Sequence, residues 1–334
     1  MPRLIVIDAN IWVSERLLQT SIGGAALHAV VKDEGRIVLP EVVEREVAQV
    51  LSDLADKAAA TIEDKSRFLR QLSGRDMHIL APSREAITAS IRDRFDKLAG
   101  ILERVPLTIE HAQAALAKIL SKEAPCGVNN EQFRDCCIWQ VALEAAARRE
   151  VHLISGDLAF YEGKKHDGGL ATNLIAEATA LDRNVSLHPT LKSFLGATAH
   201  SVHVNEGAIK AAIIAAVRMR AHELAQSKEA DFEIGACRSI DIRGYATPAE
   251  SLIAVSFSIS WDITRTFVEA EGNRFVTGSL TLDGSCSYAP STGEIAGVEV
   301  SSWSKSADKT GGGTTTMWSA DWARQFEPGQ FRRL

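Results

Sequence analysis

Cysteine is scarce in this sequence, and its spacing fits neither a zinc site nor a disulfide framework. The chain has five cysteines, which is an odd number, and no two of them form a Cys-x-x-Cys pair. No cluster of histidines accompanies them. A zinc site or a disulfide framework is therefore not expected, and a reducing cytoplasm is the expected environment.

Long hydrophobic runs are also missing. A membrane-spanning helix needs about 20 predominantly apolar residues, and no segment of this chain approaches that length. The first apolar run, Leu4–Ile7, is very short and is followed directly by Asp8. We therefore expect no membrane interaction and no secretory signal at the N-terminus.

The sequence lacks an excess of positive charge. Its formal net charge is −6, so bulk charge does not favour a general polyanion binder, although local basic patches remain compatible with one. The apolar fraction of 46% and the charged fraction of 24% are those of a soluble globular protein. The 334 residues are enough for one large domain or two ordinary ones.

Short apolar strands alternate with helices over the first two thirds of the chain. The predicted strands are Leu4–Ile7, Arg36–Leu39, Val151–Ser155 and Val185–Leu187, with a further extended piece at Met77–Leu80. The predicted helices run from Ile11 into the thirties, from Pro40 to Leu54, and over Arg84–Leu102, Ile109–Leu120, Glu131–Arg149 and Leu170–Leu181. This alternation is typical of a parallel sheet flanked by helices, and it predicts an α/β domain over residues 1–198.

The pattern changes near residue 200. One long helix is predicted from Asn205 to about Gln226, and the residues from Asp231 on turn strand-like. The strand-like segments are Leu252–Ile263, Phe267–Glu269, Phe275–Leu282 and Ile295–Val300, with turn signals at Gly272-Asn273 and Asp283-Gly284 and a low-complexity loop at Gly311–Thr316. They predict a smaller α+β domain over residues 199–334, in which an antiparallel sheet lies beside the helix.

The role of this second domain does not follow from its sequence, and we recognise no family in it. Its strand edges and its tryptophans, which we expect to be exposed, would suit a homo-oligomer contact or a protein partner. The tryptophans are Trp261, Trp303, Trp318 and Trp322.

Four acidic residues stand where they can meet at one edge of the predicted parallel sheet. Asp8 ends the first strand, and Asp157 directly follows the strand Val151–Ser155. Glu46 lies in the helix after the second strand, and Asp135 lies in the second turn of the helix before Val151–Ser155. Because the carboxyl ends of parallel strands share one edge, these four side chains, here called the acidic quartet, can converge there.

A quartet of this kind predicts a divalent metal site. Several neighbouring carboxylates cannot all stay ionised without a cation. Oxygen-only ligands favour Mg²⁺ or Mn²⁺. Such a site can activate water and can stabilise the charge that builds on a phosphoryl group.

The residues around the quartet carry a family resemblance. The stretches concerned are Asp8-x-Asn10, Pro40-Glu-Val-Val-Glu-Arg-Glu46, Arg134-Asp135-Cys-Cys-Ile-Trp139 and Ser155-Gly-Asp157-Leu-Ala-Phe160. In order and setting they resemble the acidic motifs of PIN-domain nucleases, over roughly residues 1–195. The resemblance is to the larger PIN-like proteins, which have extra helices between the second and third acids, rather than to the minimal toxin type.

The resemblance implies a function and a set of roles. PIN-like nucleases hydrolyse RNA, and less often single-stranded or flapped DNA, with one or two Mg²⁺ or Mn²⁺ ions. By resemblance, the acidic quartet would bind the metal, and a metal-activated water would attack the phosphodiester bond. Asn10 and Ser155 would be polar supports that orient a carboxylate or a water. The implied partner is nucleic acid, with RNA favoured over DNA.

Each member of the quartet also has a purely structural interpretation. Asp8 can cap the helix that follows it, and Asp157 can be a turn residue after Gly156. Asp135 can be a favourable charge near a helix N-terminus, paired with Arg134.

Two assignments stay open at the level of sequence. Glu46 can belong to a solvated helix face, and Glu44 on the same helix competes with it for the role of the second acid. Lys164 and Lys165 follow Asp157 closely and could hold a substrate phosphate, as could Arg134, but a solvated surface loop explains the two lysines equally well.

Two other functions compete with the nuclease. A haloacid-dehalogenase-type phosphatase also begins with a strand that ends in Asp, but it needs a second Asp two residues later, where this chain has Asn10. The other alternative is a non-catalytic scaffold that has a PIN fold, serves for interaction and does not hydrolyse nucleic acid. The presence of the whole acidic quartet favours the enzyme over the scaffold.

Overall fold

The structure is a computed structural model, and it describes residues 3–74, 81–127, 131–198, 200–227, 230–269, 272–308 and 314–321. Contacts between residues divide the chain into two units. The first unit contains the residues up to Leu17 and Val30–Phe194, and the second contains Leu18–Ala29 and the described residues from Leu195 on. None of the described helices is long and apolar enough to span a membrane.

The first unit is built on a five-stranded parallel sheet. Its strands are β1 (Leu4–Ile7), β2 (Arg36–Pro40), β3 (Leu102–Val105), β4 (Val151–Ile154) and β5 (Val185–His188). They lie in the order β3-β2-β1-β4-β5, and every neighbouring pair is parallel. All four residues of the central strand β1 are buried, as expected for a strand that is covered on both faces.

Helices occupy the connections between these strands, which confirms the predicted parallel sheet flanked by helices. They are α1 (Ala9–Ser14), α2 (Ser21–Lys32), α3 (Glu41–Ser73), α4 (Arg84–Lys97), α5 (Ile109–Ser121), α6 (Phe133–Ala146) and α7 (Thr172–Ala180), and α8 (Leu191–Ala197) follows β5. Most of α2 is counted with the second unit. Between β4 and α7 the chain forms three one-turn 3-10 helices, Leu158–Phe160, Glu162–Lys164 and His166–Gly168.

The predicted single helix from Ile11 into the thirties is wrong, because the chain forms α1 and α2 with a break between them. Arg16, Leu17 and Leu18 adopt positive φ angles of 49°, 59° and 58°, which an α-helix cannot contain. A Cβ on Gly23 would stand 2.6 Å from the Cα of Leu18. Gly23 therefore permits this turn to pack closely, rather than weakening the middle of a helix.

A strand was missed at the edge of the parallel sheet. The helix predicted over Arg84–Leu102 ends at Lys97, and Leu102–Val105 forms β3 beside β2. A four-residue edge strand with one apolar residue at each end carries almost no periodic signal. The extended piece predicted at Met77–Leu80 lies outside the described residues.

The second unit is an antiparallel sheet with one long helix, as predicted. The helix α9 spans Glu206–Ala225, and the sheet contains β6 (Ser201–Val202), β9 (Glu233–Ala246), β10 (Ile253–Glu269), β11 (Gly272–Ala289), β12 (Glu294–Asp308) and β13 (Thr314–Asp321). Two short strands, β7 (Gln226–Ser227) and β8 (Ala230–Asp231), form a separate pair. Apolar residues of α9 and of the inner face of the sheet form one core cluster.

Two details of the second unit differ from the prediction. Asp283-Gly284 is not a turn but lies inside β11, where a Cβ on Gly284 would meet the ring of Phe257 at 2.3 Å. Thr314–Thr316 belongs to β13 rather than to a loop.

The tryptophans of this unit are not the exposed set that we expected. Trp261 is 3% exposed and belongs to the core cluster, and Trp303 is partly buried against it. The position of the Trp318 side chain and the whole of Trp322 lie outside the described part of the chain. The aromatic side chains that can be placed therefore stabilise the core and do not form a docking surface.

Candidate active site

Asp8 stands at the carboxyl end of β1, directly beside the end of β4. The two strands pair in parallel with Ile7 opposite Ile154, which brings Asp8 next to Ser155. The Ser155 hydroxyl donates to Asp8 Oδ2 at 2.6 Å, and the Ala9 amide donates to Asp8 Oδ1 at 2.6 Å. Asp8 therefore caps α1, as its structural interpretation predicted, and is also held by the residue predicted to support it.

Ser155 connects two members of the quartet. Besides donating to Asp8, its Oγ accepts a hydrogen bond from the Asp157 amide at 3.1 Å. Asp157 in turn accepts from the Ala159 amide at 2.8 Å, which caps the first 3-10 turn. Ser155 itself is fully buried, and its single hydroxyl links the Asp8 carboxylate to the backbone of Asp157.

The other two acids come from helices. Glu46 lies in α3 and Asp135 in α6, where it occupies the first turn rather than the predicted second turn. Arg134 forms an ion pair with Glu46 and not with Asp135. Glu44, the competitor for the second position, pairs instead with Arg104, whose Nε lies 3.1 Å from Glu44 Oε1.

The four carboxylates act on one another electrostatically. Burial, opposed by the Ser155 hydrogen bond and reinforced by Glu46 and Asp157, raises the pKa of Asp8 to about 7. Burial and then the charges of Asp8, Asp157 and Glu46 raise the pKa of Asp135 well above its usual value. Burial also raises the pKa of Glu46, against the attraction of Arg134 and with the repulsion of Asp157. The structure thus brings the whole acidic quartet into one group and leaves Glu44 outside it.

The donor set suits a hard divalent cation. Among the residues that the structure describes, no group of three or more His, Cys, Asp and Glu side chains already stands in a metal-binding arrangement. The quartet nevertheless offers carboxylate oxygens alone, which is the ligand chemistry of Mg²⁺ and Mn²⁺. In addition, Asn10 Oδ1 is buried without a hydrogen-bond partner, so an acceptor in the first turn of α1 is left unsatisfied.

Asn10 lies beside the segment that carries Asp157. Its Nδ2 is 3.8 Å from the place that a Cβ on Gly156 would occupy. The unsatisfied Oδ1 and the quartet therefore belong to the same neighbourhood, and the residues present fit a bound cation with its water shell.

The loop with the two lysines folds back toward the site. Lys164 and Lys165 are exposed, and the next residue, His166, donates from Nε2 to the Gly156 carbonyl at 3.1 Å. The Tyr161 hydroxyl donates to the Ser155 carbonyl at 2.8 Å and anchors the start of the same loop. Both lysines are thus carried by a loop that is fixed at two points to the segment between Ser155 and Asp157.

One contact of the site was not anticipated. Gln132, just before α6, has its Nε2 3.4 Å and 3.5 Å from the two carboxylate oxygens of Asp157. Its only signal in the sequence is its place three residues before Asp135, at the end of a polar loop. Many glutamines share that setting without touching a site.

Comparison with known proteins agrees with this geometry. The family model described as PIN domain matches residues 5–160. This part of the chain is similar to PIN domains. The matched segment contains the whole acidic quartet together with Asn10 and Ser155, and PIN domains are usually nucleases. No curated protein and no solved structure matches the chain, and the C-terminal domain belongs to no family that we recognise.

Proposed function

We propose that the protein is a metal-dependent nuclease that hydrolyses phosphodiester bonds, with RNA favoured over DNA. The observation that carries the proposal is that two strand ends and two helices bring four carboxylates so close that, in addition to burial, they raise the pKa of Asp8, Asp135 and Glu46. Grouping like charges in a shielded place lowers the stability of the metal-free protein. The PIN-domain match supports a catalytic reason for this cost, because it includes all four acids.

The residues of the site divide into ligands and supports. The acidic quartet would hold Mg²⁺ or Mn²⁺, and a cation bound there would supply an activated water and stabilisation of the leaving oxygen. Ser155 orients Asp8 through its hydroxyl and Asp157 through the backbone amide. Asn10 Oδ1 would accept a hydrogen bond from a water in the site, because it has no other partner. No side chain has to act as a covalent nucleophile.

The proposed substrate class rests on the positive charge of two lysines and on the similarity to PIN domains. Lys164 and Lys165 lie in an exposed loop tied to Gly156, where their ammonium groups can contact phosphates on either side of the cleaved bond. Lysine acts on phosphate as a point charge and does not read the bases. This part of the site therefore predicts affinity for the polymer backbone, and the preference for RNA rests on the PIN family alone.

The test is cleavage of end-labelled single-stranded RNA and DNA in Mn²⁺, Mg²⁺ or EDTA. Wild type should cleave RNA only with metal, and Asp8→Asn and Asp157→Asn should each lower the rate on the order of 100-fold or more. Glu46→Gln should behave like these two variants. Glu44→Gln is the matched control, since Glu44 lies on the same helix but pairs with Arg104, and it should keep the wild-type rate.

The outcomes separate the competing functions. Cleavage of DNA but not RNA would keep the nuclease and correct the polymer. No cleavage of either polymer, together with no Mn²⁺ binding in calorimetry, would contradict the proposal and leave the non-catalytic PIN scaffold as the better interpretation.

A further inference from the structure

Arg134 supplies the one nearby positive charge that pairs with the acidic quartet. Its Nη1 contacts Glu46 Oε1, and the two side chains are 49% and 18% exposed. In the described ranges of the chain, no lysine or arginine forms an ion pair with Asp8, Asp135 or Asp157. The ion pairing of the quartet therefore falls on a single arginine, which contacts Glu46 and also opposes the rise in the pKa of Asp135 through its charge.

The Arg134 pair is placed so that it can open. Half of the guanidinium side chain is in contact with solvent, and exposed ion pairs contribute little to stability. The backbone of Arg134 is fixed, because it lies in the first turn of α6 next to Asp135. The side chain can thus change partners while the residue stays at the site.

A divalent cation and the Arg134 guanidinium compete for the same oxygens. Mg²⁺ and Mn²⁺ bind carboxylate oxygens directly, whereas arginine only donates hydrogen bonds to them. A cation that takes Glu46 as a ligand displaces Arg134 and repels it. The planar guanidinium fork then matches the oxygens of a phosphate, which it can bind with two parallel hydrogen bonds.

We propose that Arg134 exchanges partners at the site: it pairs with Glu46 in the metal-free protein, is released when Mg²⁺ or Mn²⁺ binds, and then contacts a phosphate of the nucleic acid. This inference rests on the proposed nuclease function. According to this inference, Arg134 lowers the affinity for the metal ion and raises the affinity for the nucleic acid. Substrate then binds better to the metal-loaded protein than to the metal-free one.

The first arm of the test is Mn²⁺ titration by calorimetry. Arg134→Gln removes the competing charge and should tighten Mn²⁺ binding roughly 2- to 10-fold. The matched control is Arg104→Gln, which removes a comparable ion pair to Glu44 on the same helix and should leave Mn²⁺ affinity unchanged. In a Glu46→Gln background, Arg134→Gln should no longer tighten Mn²⁺ binding, because the competition runs through Glu46.

The second arm is binding of a fluorescent single-stranded RNA, read by stopped-flow anisotropy before cleavage. Mn²⁺ should strengthen binding to wild type more than to Arg134→Gln. The slope of log affinity against log salt should fall by about one phosphate contact in the variant. Arg134→Lys keeps the charge and loses the fork, so it should bind Mn²⁺ like wild type and RNA more weakly.

Failure of this inference can be told apart from failure of the nuclease proposal. If wild type binds Mn²⁺ and Arg134→Gln binds it equally or more weakly, the exchange of partners is contradicted, but the proposed metal site is not. An RNA salt slope unchanged by Arg134→Gln also overturns it. Absence of Mn²⁺ binding to wild type removes the site and the inference together. Unchanged thermal unfolding of Arg134→Gln in EDTA checks that the variant is folded.

Discussion

The first unit places one buried and three partly buried carboxylates beside one another, whereas the second unit buries one lysine whose ammonium group donates to a backbone carbonyl. Lys305 is 0% exposed, yet its Nζ donates to the Ala225 carbonyl at 3.1 Å, at the end of α9. The rings of Phe232 and Trp303 lie with their centroids 5.8 Å from the same nitrogen. The lysine satisfies a helix end and packs among aromatic rings, which is a structural use of charge.

The acidic quartet has the opposite character. Burial and the neighbouring carboxylates raise the pKa of Asp8, Asp135 and Glu46, and Arg134 opposes that rise only at Glu46 and Asp135. A buried charge with nearby partners contributes to the fold. Shielded like charges without such partners need a compensating positive charge that the described part of the chain does not supply. The contrast sets a charge with structural partners against a group of charges for which we propose a catalytic role.

The largest expected effect is on Lys305. Lys305→Ala should lower the free energy of unfolding by about 3 kcal/mol, because it removes a buried hydrogen bond to the Ala225 carbonyl and leaves a cavity in the core. Mn²⁺ binding should stay unchanged. Urea unfolding measures the first quantity and calorimetry the second.

Two controls sharpen this prediction. Lys305→Met keeps the length of the side chain and should cost less than Lys305→Ala. Lys210→Ala, which removes an exposed lysine paired with Glu206 on α9, should change stability little. Equal stabilities for Lys305→Ala and wild type would mean that the buried lysine is not structural.

The next effect is a gain of stability on removing a charge from the quartet. The raised pKa of Asp8, about 7 against an ordinary 3.8, means that the folded state holds a proton that the unfolded state releases. Stability of the metal-free protein therefore falls as the pH rises from about 4 to about 7, and the loss is complete above pH 7. Asp8→Asn should raise the free energy of unfolding on the order of 2 kcal/mol at pH 8 in EDTA, and the difference should vanish near pH 3.

The measurement is thermal or urea unfolding at both pH values with EDTA present. Asp167→Asn changes an exposed aspartate in the loop after Asp157 and should show neither the gain nor its pH dependence. A lower stability of Asp8→Asn at pH 8 would show that the carboxylate is structurally useful without metal, like Lys305.

The smallest effect concerns the support of the quartet. Ser155→Ala removes the hydroxyl that orients Asp8 and accepts from the Asp157 amide, so Mn²⁺ binding should weaken about 10-fold. Ser90→Ala, whose hydroxyl bonds only the Ala86 carbonyl, should leave it unchanged. Unaltered Mn²⁺ affinity in Ser155→Ala would limit the serine to a role in packing.

Local sequence patterns were enough to predict those elements whose apolar residues by themselves indicate a buried strand or helix. β1 reads as a continuous branched apolar run, and Asp8 and Asp157 were found because each directly follows such a strand. Leu102–Val105 carries no comparable pattern, since it becomes a strand only by pairing with the open edge of β2. Gly284 has the sequence setting of a turn residue. It is glycine because a Cβ there would collide with the ring of Phe257 on the neighbouring strand β10.

The choice among acids shows the same limit. Glu44 and Glu46 lie on one helix and have equal propensities, so no local rule separates them. The difference comes from Arg104 and Arg134, which are distant in sequence and select one glutamate each. Gln132 was missed for the same reason, because its contact with Asp157 depends on how α6 meets β4. Metal binding by the quartet itself stays a prediction.

The split of the quartet between strands and helices has a consequence for the size of the ion. Backbone hydrogen bonds hold β1 and β4 about 4.8 Å apart, whatever the site contains. The spacing of the two strand ends that carry Asp8 and Asp157 is therefore fixed. Glu46 and Asp135 stand on α3 and α6, whose positions the hydrogen bonds between β1 and β4 do not set directly. Ca²⁺, with ligand distances of about 2.3–2.6 Å against about 2.0–2.1 Å for Mg²⁺, should therefore be accommodated by a displacement of α3 and α6 while the strand ends keep their spacing.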